Sequence, residues 1–347
     1  MRNNRKKIAI FRALQLGDML CAVPAIRAVR SAYPQAEIVL IGLPWAYEFV
    51  QRFEKYIDRF ISFPGYPGLP EQQVTKEKFA EFIRKVQKEH FDLIIQMHGD
   101  GSIINAMLTL FGGKSTAGSY LNENDCPDKT TYIKYRDDLP EVERNLRIIK
   151  KLDMKPQANF LEFPLYEKDR EELKSIPNYS LLMKQSYICI HPGARDPKRR
   201  WSTQKFASIA DALMSIGYQI VFTGVSQEQS IVQQIMKHMQ YMPINLAGKL
   251  SIGATAALIE SSQLVISNCT AISHIADALN IPSVVIYLDS DPNRWAPLDE
   301  SLHRRIDKKT AEQPFLVFTT ALQLLIRGPI PSSIFQDEER GGIYESL

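Results

Sequence analysis

The stretch that decides the fold is residues 8–20, which read IAIFRALQLGDML. Ile8 to Phe11 is a short apolar run with a turn behind it, which is typical of a buried strand. The segment from about Met19 to Tyr33 then has a helical pattern, and Pro24 lies inside it, so this helix either begins or kinks at the proline. Strand, turn and helix in this order predict the first unit of a parallel α/β sheet.

The same alternation continues along the chain and restarts in its second half. Short apolar runs predict further strands at 37–43, 91–97, 187–190, 218–222, 264–267 and 283–287. Periodic segments predict helices at 75–90 (with Thr75 as its cap), 103–111, 140–152, 203–216, 227–239, 252–261 and 271–279. The fold class predicted by this pattern is α/β, with two Rossmann-like domains whose parallel sheets carry helices on both faces.

The boundary between the two halves is predicted from composition. The stretch 159–178 contains two prolines and many charges, which is typical of a linker. We therefore predict an amino-terminal domain at 1–165 and a carboxy-terminal domain at 180–330. The helical segment at 315–326 fits either half, and residues 331–347, rich in charge and glycine, predict a loose tail.

Composition argues against several classes of function. The chain has 347 residues, of which 42 are basic and 39 acidic, a balance too even to indicate a nucleic-acid partner. Its four cysteines lie far apart with no Cys-x-x-Cys pair, which argues against a structural zinc site or a disulfide framework. The basic start leads into a short apolar run unlike a signal peptide, and no apolar stretch approaches the roughly 20 residues of a membrane span. We expect a cytoplasmic protein that meets a membrane only from its surface.

The Gly17-Asp18 pair lies at the carboxyl end of the first predicted strand, where open α/β sheets place their ligand crevice. Gly17 permits a tight turn, and Asp18 then lies at or near a helix N-terminus. Two interpretations remain: Asp18 is an N-cap residue, or its carboxylate is held over the crevice as a general base.

A basic loop follows the first strand of the second half. It covers residues 191–201, and four cations lie within six residues: Arg195, Lys198, Arg199 and Arg200. Such a run is either a solvated surface loop or an anion site, and its place at a strand end favours an anion site that holds phosphate oxygens.

Residues 267–274 join a strand to a helix, where backbone amides and the helix dipole suit a phosphate group. Thr270 and Ser273 add hydroxyl groups. Cys269 is interpreted as a packing or ligand-facing residue, because no separate histidine partner supports a role as nucleophile. His274 taken alone is more typical of a structural histidine.

Two further strand ends carry polar residues. Thr223-Gly224 is followed by Glu228, which either receives a ribose hydroxyl or compensates a helix dipole. In the first half, His98 and Asp100 follow a strand and are second candidates for acid–base chemistry.

In combination these segments resemble glycosyltransferase family 9, the ADP-heptose:lipopolysaccharide heptosyltransferases. The resemblance covers roughly residues 7–300 and is carried by five motifs in order: Leu16-Gly17-Asp18 with Pro24 and Tyr33-Pro34; Glu143-Arg144-Asn145-Leu146; Pro192-Gly193-Ala194 with Arg199-Arg200-Trp201; Asn245-Leu246-Ala247-Gly248-Lys249; and Asn268-Cys269-Thr270-Ala271-Ile272-Ser273-His274.

The resemblance implies a two-domain GT-B fold whose halves face a cleft, an inverting mechanism, no cofactor or essential metal, and a nucleotide-sugar donor that is ADP-linked. It implies Asp18 as the general base, acting on a glycolipid or glycan acceptor at the inner membrane surface. Strand-end position places Gly17, His98 and Asp100 as candidates on the acceptor side. Strand-end position and the resemblance together predict these donor and diphosphate residues: Gly193, Lys198, Arg199, Thr223, Gly224, Glu228, Asn268, Cys269, Thr270, Ala271 and His274.

Two departures from the family pattern leave alternatives open. In the last motif, Cys269 stands where the family has an acidic residue and Ala271-Ile272 where it has Gly-Pro. In the basic loop, the family's lysine two residues before the tryptophan is Arg199 here, with Lys198 one step earlier. One alternative hypothesis is an epimerase or hydrolase of nucleotide sugars with the same fold. The other is a relative that binds nucleotide or glycan without catalysis.

Overall fold

The computed structural model describes residues 5–70, 72, 74–177 and 179–326. These residues form two compact units that divide between Pro164 and Leu165. The predicted tail at 331–347 lies outside the described residues.

The first unit contains a six-stranded sheet in the order β3-β2-β1-β4-β5-β6. Its strands are β1 (Lys7–Phe11), β2 (Glu37–Gly42), β3 (Arg59–Ser62), β4 (Leu93–Gln96), β5 (Thr116–Tyr120) and β6 (Tyr132–Lys134). Its helices are α1 (Leu16–Ala32), α2 (Ala46–Arg52), α3 (Lys76–Gln87), α4 (Ser102–Thr109) and α5 (Glu141–Lys151).

The second unit repeats this plan with a six-stranded sheet in the order β12-β11-β10-β7-β8-β9. Its strands are β7 (Tyr187–His191), β8 (Gln219–Phe222), β9 (Ile244–Asn245), β10 (Leu264–Asn268), β11 (Ser283–Ile286) and β12 (His303–Ile306). Its helices are α6 (Glu167–Lys174), α7 (Tyr179–Leu182), α8 (Thr203–Ser215), α9 (Gln229–Met236), α10 (Ile252–Glu260), α11 (Ala271–Ala278), α12 (Pro292–Trp295) and α13 (Pro314–Leu325).

The predicted α/β class with two parallel sheets is confirmed, since every pairing among the described strands is parallel. In the first unit the strand order reverses at β1, which pairs with both β2 and β4. In the second it reverses at β7, which pairs with both β8 and β10. Ligands of open α/β sheets bind outside the carboxyl ends of the strands at such reversals. The loops after β1, β4, β7 and β10 are therefore the places to look for a site.

Helix α1 differs from its prediction. It begins at Leu16 and passes through Pro24 without ending there. A proline inside a helix costs about 3 kcal/mol because a backbone hydrogen bond is lost. Every residue from Met19 to Val29 is buried, so packing of the helix on all sides offsets that cost.

Three other predictions, the Thr75 cap and the segments at 159–178 and 315–326, had different outcomes in the structure. The Thr75 cap of α3 is confirmed, because its hydroxyl accepts a hydrogen bond from the Lys78 amide at 3.4 Å. The stretch interpreted as a linker instead contains α6, whose first turn is held by Asp169 accepting from the Tyr166 amide at 2.9 Å. Helix α13 packs in the core of the second unit through Val317 and its neighbours.

Candidate active site

The strand reversal of the first unit brings together the loops that follow β1 and β4. The Ala13 amide, just after β1, donates to Nδ1 of His98, just after β4, at 3.2 Å. The His98 ring also stacks on Phe11, with 5.4 Å between ring centroids. Asp18 is half-buried in the first turn of α1, at this same edge of the sheet.

Asp18 does not cap α1. The N-cap residue is Gln15, and Gly17 and Asp18 are the second and third residues of the helix. The N-cap interpretation of Asp18 is therefore wrong, and Gly17 is helical and makes no tight turn. An acid in the first turn of a helix still interacts favourably with the positive end of the helix dipole.

Arg12 is the residue of this site that sequence reasoning missed. Its guanidinium is fully buried, and each of its five N–H groups has an acceptor. Nε and Nη2 donate to the main-chain oxygen of Asp18 at 2.9 and 2.7 Å. Nη2 also donates to Glu141 at 3.0 Å, and Nη1 donates to Asn145 at 3.2 Å and to the main-chain oxygen of Met97. The sequence feature that indicates this role is an arginine directly after an apolar strand, where a charged side chain is shielded from solvent.

His98 is held in its neutral form. Burial, and to a lesser degree the positive charge of Arg12, lowers the pKa of His98 to about 3. Because Nδ1 accepts from the Ala13 amide, the ring proton is on Nε2. His98 is thus a hydrogen-bond donor at this strand end and a poor base at neutral pH.

Asp100 shapes the loop between β4 and α4. One of its carboxylate oxygens accepts from the amide and the hydroxyl of Ser102, at 3.0 and 2.9 Å. The next residue, Gly101, has φ of +85°, and a side-chain carbon there would lie 1.9 Å from the main-chain oxygen of Ser119. Only glycine fits this position, so the loop that carries His98 and Asp100 has a defined shape.

A small basic pocket lies beside Arg12 in the first unit. Its charged lining consists of Lys134, Arg136, Arg144, Arg147 and Glu141. Arg144 is buried and donates to the Tyr135 hydroxyl and to the main-chain oxygen of Asp137, while its Nε has no hydrogen-bond partner among the described residues. Arg136 is already paired with Asp138, and the remaining cations, Lys134, Arg144 and Arg147, outnumber Glu141 and make this pocket suited to an anionic group.

In the second unit, the loops after β7 and β8 meet at Glu228. The Glu228 carboxylate accepts from the Val225 amide at 2.9 Å and lies 3.7 Å from Nε2 of His191. His191 Nδ1 in turn lies 3.1 Å from the Thr223 hydroxyl. Burial lowers the pKa of His191, and the charge of Glu228 opposes that shift only in part. Gly193 and Gly224 both contact Glu228, so four predicted donor residues share this corner.

Asn268 is a brace for the basic loop. It is completely buried at the end of β10, and its amide nitrogen donates to the main-chain oxygens of Pro192 and Gly193 at 2.7 and 3.3 Å. Its side-chain oxygen accepts from the Trp201 amide at 3.0 Å. One side chain therefore fixes both ends of the loop that contains Lys198 and Arg199.

The basic loop itself is exposed between these fixed ends. Lys198 and Arg199 form a short 3-10 turn, and Asp196 accepts from the Lys198 amide at 3.0 Å. Lys198 and Arg200 line an open pocket with Lys205 and Lys308. The predicted cations thus stand at the strand reversal, accessible to a ligand.

The N-terminus of α11 follows β10 and is the second half of that arrangement. Thr270 is its N-cap residue, but the Thr270 hydroxyl makes no capping bond. That hydroxyl oxygen is buried and has no hydrogen-bond partner in the described part of the chain. An anion bound here would accept hydrogen bonds from the amides of the first turn, which begins at Ala271, and from this hydroxyl.

Cys269 and His274 lie beside the start of α11 and are both buried. Cys269 is buried against Val285 and Tyr287, with Trp295 packed on the same cluster. The buried His274 ring lies 6.3 Å from the Trp295 ring in a T-shaped contact. Both residues shape the wall behind the helix terminus.

The described residues contain no group of three or more His, Cys, Asp or Glu side chains placed to hold a metal ion. Within the same residues, no helix is both long and apolar enough to cross a membrane.

Two parallel α/β units with polar loops at their strand reversals are typical of proteins that bind nucleotide-linked ligands. The profile of glycosyltransferase family 9 (heptosyltransferase) matches residues 79–323 of the chain. The sequence is 24% identical over 299 residues to lipopolysaccharide heptosyltransferase 3 of Escherichia coli, covering 82% of this chain and 84% of the relative.

Solved structures agree with this match. A glycosyltransferase family 9 protein from Veillonella parvula superposes with a TM-score of 0.76 at 20% identity, over 94% of this chain and 99% of the other. ADP-heptose lipopolysaccharide heptosyltransferase II of E. coli gives a TM-score of 0.73 at 19% identity, over 93% and 99%. The chain belongs to glycosyltransferase family 9 and is a glycosyltransferase, as the ordered motifs predicted.

Proposed function

We propose that this glycosyltransferase transfers a heptose or a related sugar from ADP-heptose to a lipopolysaccharide-core or other surface-glycan acceptor, with inversion and without a metal ion. The observation that carries this proposal is the chemistry at the two strand reversals. Asp18 lies at the strand reversal of the first unit. A helix N-terminus and a basic loop lie at the strand reversal of the second unit.

The donor is assigned to the second unit. Its diphosphate is placed at the Thr270 hydroxyl and the first amides of α11, where a buried oxygen has no partner among the described residues. Lys198 and Arg199 supply positive charge to the leaving nucleoside diphosphate, which is the role a metal ion plays in other transferases. Glu228, with Thr223 and Gly224, is assigned to the nucleoside ribose.

The acceptor is assigned to the first unit. Asp18 takes the proton from an acceptor hydroxyl as that oxygen attacks the anomeric carbon. The pocket with Lys134, Arg144 and Arg147 in its lining is assigned to an acidic group of the acceptor. Because the acceptor is lipid-anchored, we also propose that the protein works in the cytoplasm against the inner membrane surface.

The test of the base is Asp18→Asn, assayed for sugar transfer from ADP-heptose to heptose-deficient lipopolysaccharide. Loss of a general base lowers turnover by about 10²–10⁴-fold. Asp100→Asn is measured in parallel as the rival carboxylate of the same edge. Full turnover by Asp18→Asn removes Asp18 as the base, and a loss confined to Asp100→Asn moves the role to that residue.

The test of the donor is thermal stabilisation by a panel of ADP-, GDP-, UDP- and dTDP-sugars. A ligand at about 100 times its Kd stabilises the folded state by about 2.7 kcal/mol. We expect the ADP-linked sugar to give the largest shift. Product analysis with and without acceptor then separates transfer from epimerisation or hydrolysis, and a donor that binds without sugar release contradicts the proposal.

A further inference from the structure

We infer that Arg12 is a positioning residue for catalysis, which holds the first turn of α1, and with it the Asp18 carboxylate, against the end of β1. This inference rests on the proposed role of Asp18 as base. It concerns a residue that contacts no substrate and acts through the main chain of another residue.

Arg12 carries a positive charge into the interior of the first unit. The Arg12 guanidinium has no exposed surface, and a buried charge is tolerated only when it is paired and hydrogen-bonded. Glu141, itself 4% exposed, supplies the opposite charge at 3.0 Å. With all five N–H groups occupied, the arginine has a single orientation.

Three of the Arg12 hydrogen bonds go to main-chain oxygens at the start of α1 and just after β4. Two of the five converge on one atom, the main-chain oxygen of Asp18. A third goes to the main-chain oxygen of Met97, directly before His98. The guanidinium therefore joins the start of α1 to the end of β4, the two segments that carry the acceptor-side candidates.

Asn145 on α5 contacts both Arg12 and α1. Asn145 accepts from Arg12, and its own amide nitrogen donates to the main-chain oxygens of Cys21 and Glu141, at 3.3 and 2.9 Å. Helix α5 thus holds α1 both through Arg12 and directly. Through Arg12, the turn that contains Asp18 is tied to the ends of β1 and β4 and to α5. No side-chain cap holds the helix at Gln15.

The consequence for catalysis follows from geometry. The carbonyl and the carboxylate of Asp18 belong to one residue, so a shift of the turn moves the base. A displacement of about 1 Å at a reacting group costs on the order of 100-fold in rate. Lysine cannot replace the arginine, because a single ammonium group cannot reach acceptors arranged around a planar fork.

The test is Arg12→Lys, with Arg27→Lys as the matched control. Arg27 is a buried arginine on α1 itself, paired with Glu162 and donating to the main-chain oxygens of Ala158 and Phe160. With ADP-heptose and heptose-deficient lipopolysaccharide, we expect Arg12→Lys to lower kcat by about 100-fold with little change in either KM. Arg27→Lys is expected to keep kcat within a few-fold of wild type.

A double variant separates positioning from general destabilisation. If Arg12 acts through Asp18, Arg12→Lys has almost no further effect on kcat in the Asp18→Asn background. The same 100-fold loss in both backgrounds overturns the inference, as does wild-type kcat in Arg12→Lys alone. A fully active Asp18→Asn instead overturns the proposed base, so the two failures are distinguishable.

A second variant covers the case in which Arg12→Lys does not fold, as judged by circular dichroism and thermal melting. Glu141→Gln keeps an oxygen that accepts from Arg12, removes the charge and replaces the other carboxylate oxygen, 3.7 Å from Nη1 of Arg144, with an NH2 group. We expect about a tenfold lower kcat, again absent in the Asp18→Asn background. A loss that persists undiminished in that background contradicts the inference.

Discussion

A side-chain carbon added at Gly193 would lie 2.0 Å from the carboxyl group of Glu228. The two residues come from the loops after β7 and β8, and their contact requires that position 193 have no side chain. The predicted donor corner is therefore shaped by close approach of a main chain to a buried acid.

Gly193→Ala is expected to displace Glu228 and weaken ADP binding by at least tenfold, about 1.4 kcal/mol, in isothermal calorimetry. The informative comparison is Glu228→Ala with and without Gly193→Ala. Once the carboxyl group is gone, the alanine at 193 has room and adds little. An undiminished effect of Gly193→Ala in that background means that the clash is not the cause.

Thr270→Val tests the anion site at the start of α11. The change keeps the shape and removes a buried hydroxyl that has no partner among the described residues. Melting of the nucleotide-free protein is expected to be unchanged or slightly higher, while ADP affinity falls by about 1–1.5 kcal/mol.

Ser273→Ala is the control for Thr270→Val. The Ser273 hydroxyl donates to the main-chain oxygen of Thr270 at 2.7 Å, so it already has a partner. Its loss is expected to lower stability more than nucleotide affinity. Wild-type ADP affinity in Thr270→Val shows that the hydroxyl is not a ligand.

Arg147→Gln tests the basic pocket as the acceptor site. We expect the acceptor KM to rise about tenfold, with ADP affinity and kcat nearly unchanged, because one charge-assisted hydrogen bond is lost. Lys150→Gln removes the same charge from the exposed side of α5, outside the pocket lining. Equal changes in the two variants argue for a general effect of net charge.

The buried His98 predicts a pH dependence of stability. Its pKa is about 3 in the folded protein and about 6.5 when unfolded. Between these values the unfolded chain binds the extra proton, so folding stability falls as pH decreases below about 6.5. From pH 7 to pH 5 the expected loss is about 2 kcal/mol from this group.

His98→Asn isolates that contribution, since an amide oxygen can still accept from the Ala13 amide. The free energy of unfolding is measured in urea at pH 7 and pH 5. Other histidines, including His191 and His303, also have lowered pKa values, so the comparison is between wild type and variant. Parallel pH curves for the two proteins contradict the assignment.

Much of the fold could be predicted because its signals are local. The apolar runs that form β1, β4, β7 and β10 are continuous, since both faces of a parallel sheet are covered. The strands missed from sequence are the edge strands β3, β6, β9 and β12 and the interior strand β5. Most residues of β3 and β9 are only partly buried, and β5 reads TAGSY, so none of these three strands carries a continuous apolar run.

The candidate site could also be predicted only in part from the sequence. The amino-acid sequence by itself determined the alternating elements, the family and the strand-end segments that carry Asp18, Lys198 and Thr270, because those signals lie within a few neighbouring residues. Only the tertiary structure decided the strand order, and with it which strand ends meet at each reversal. It also decided that Arg12 bonds Glu141 and Asn145, 129 and 133 residues further along the chain. The physical reason is that a buried arginine takes whichever acceptors folding places around it, and no local pattern specifies partners that far away.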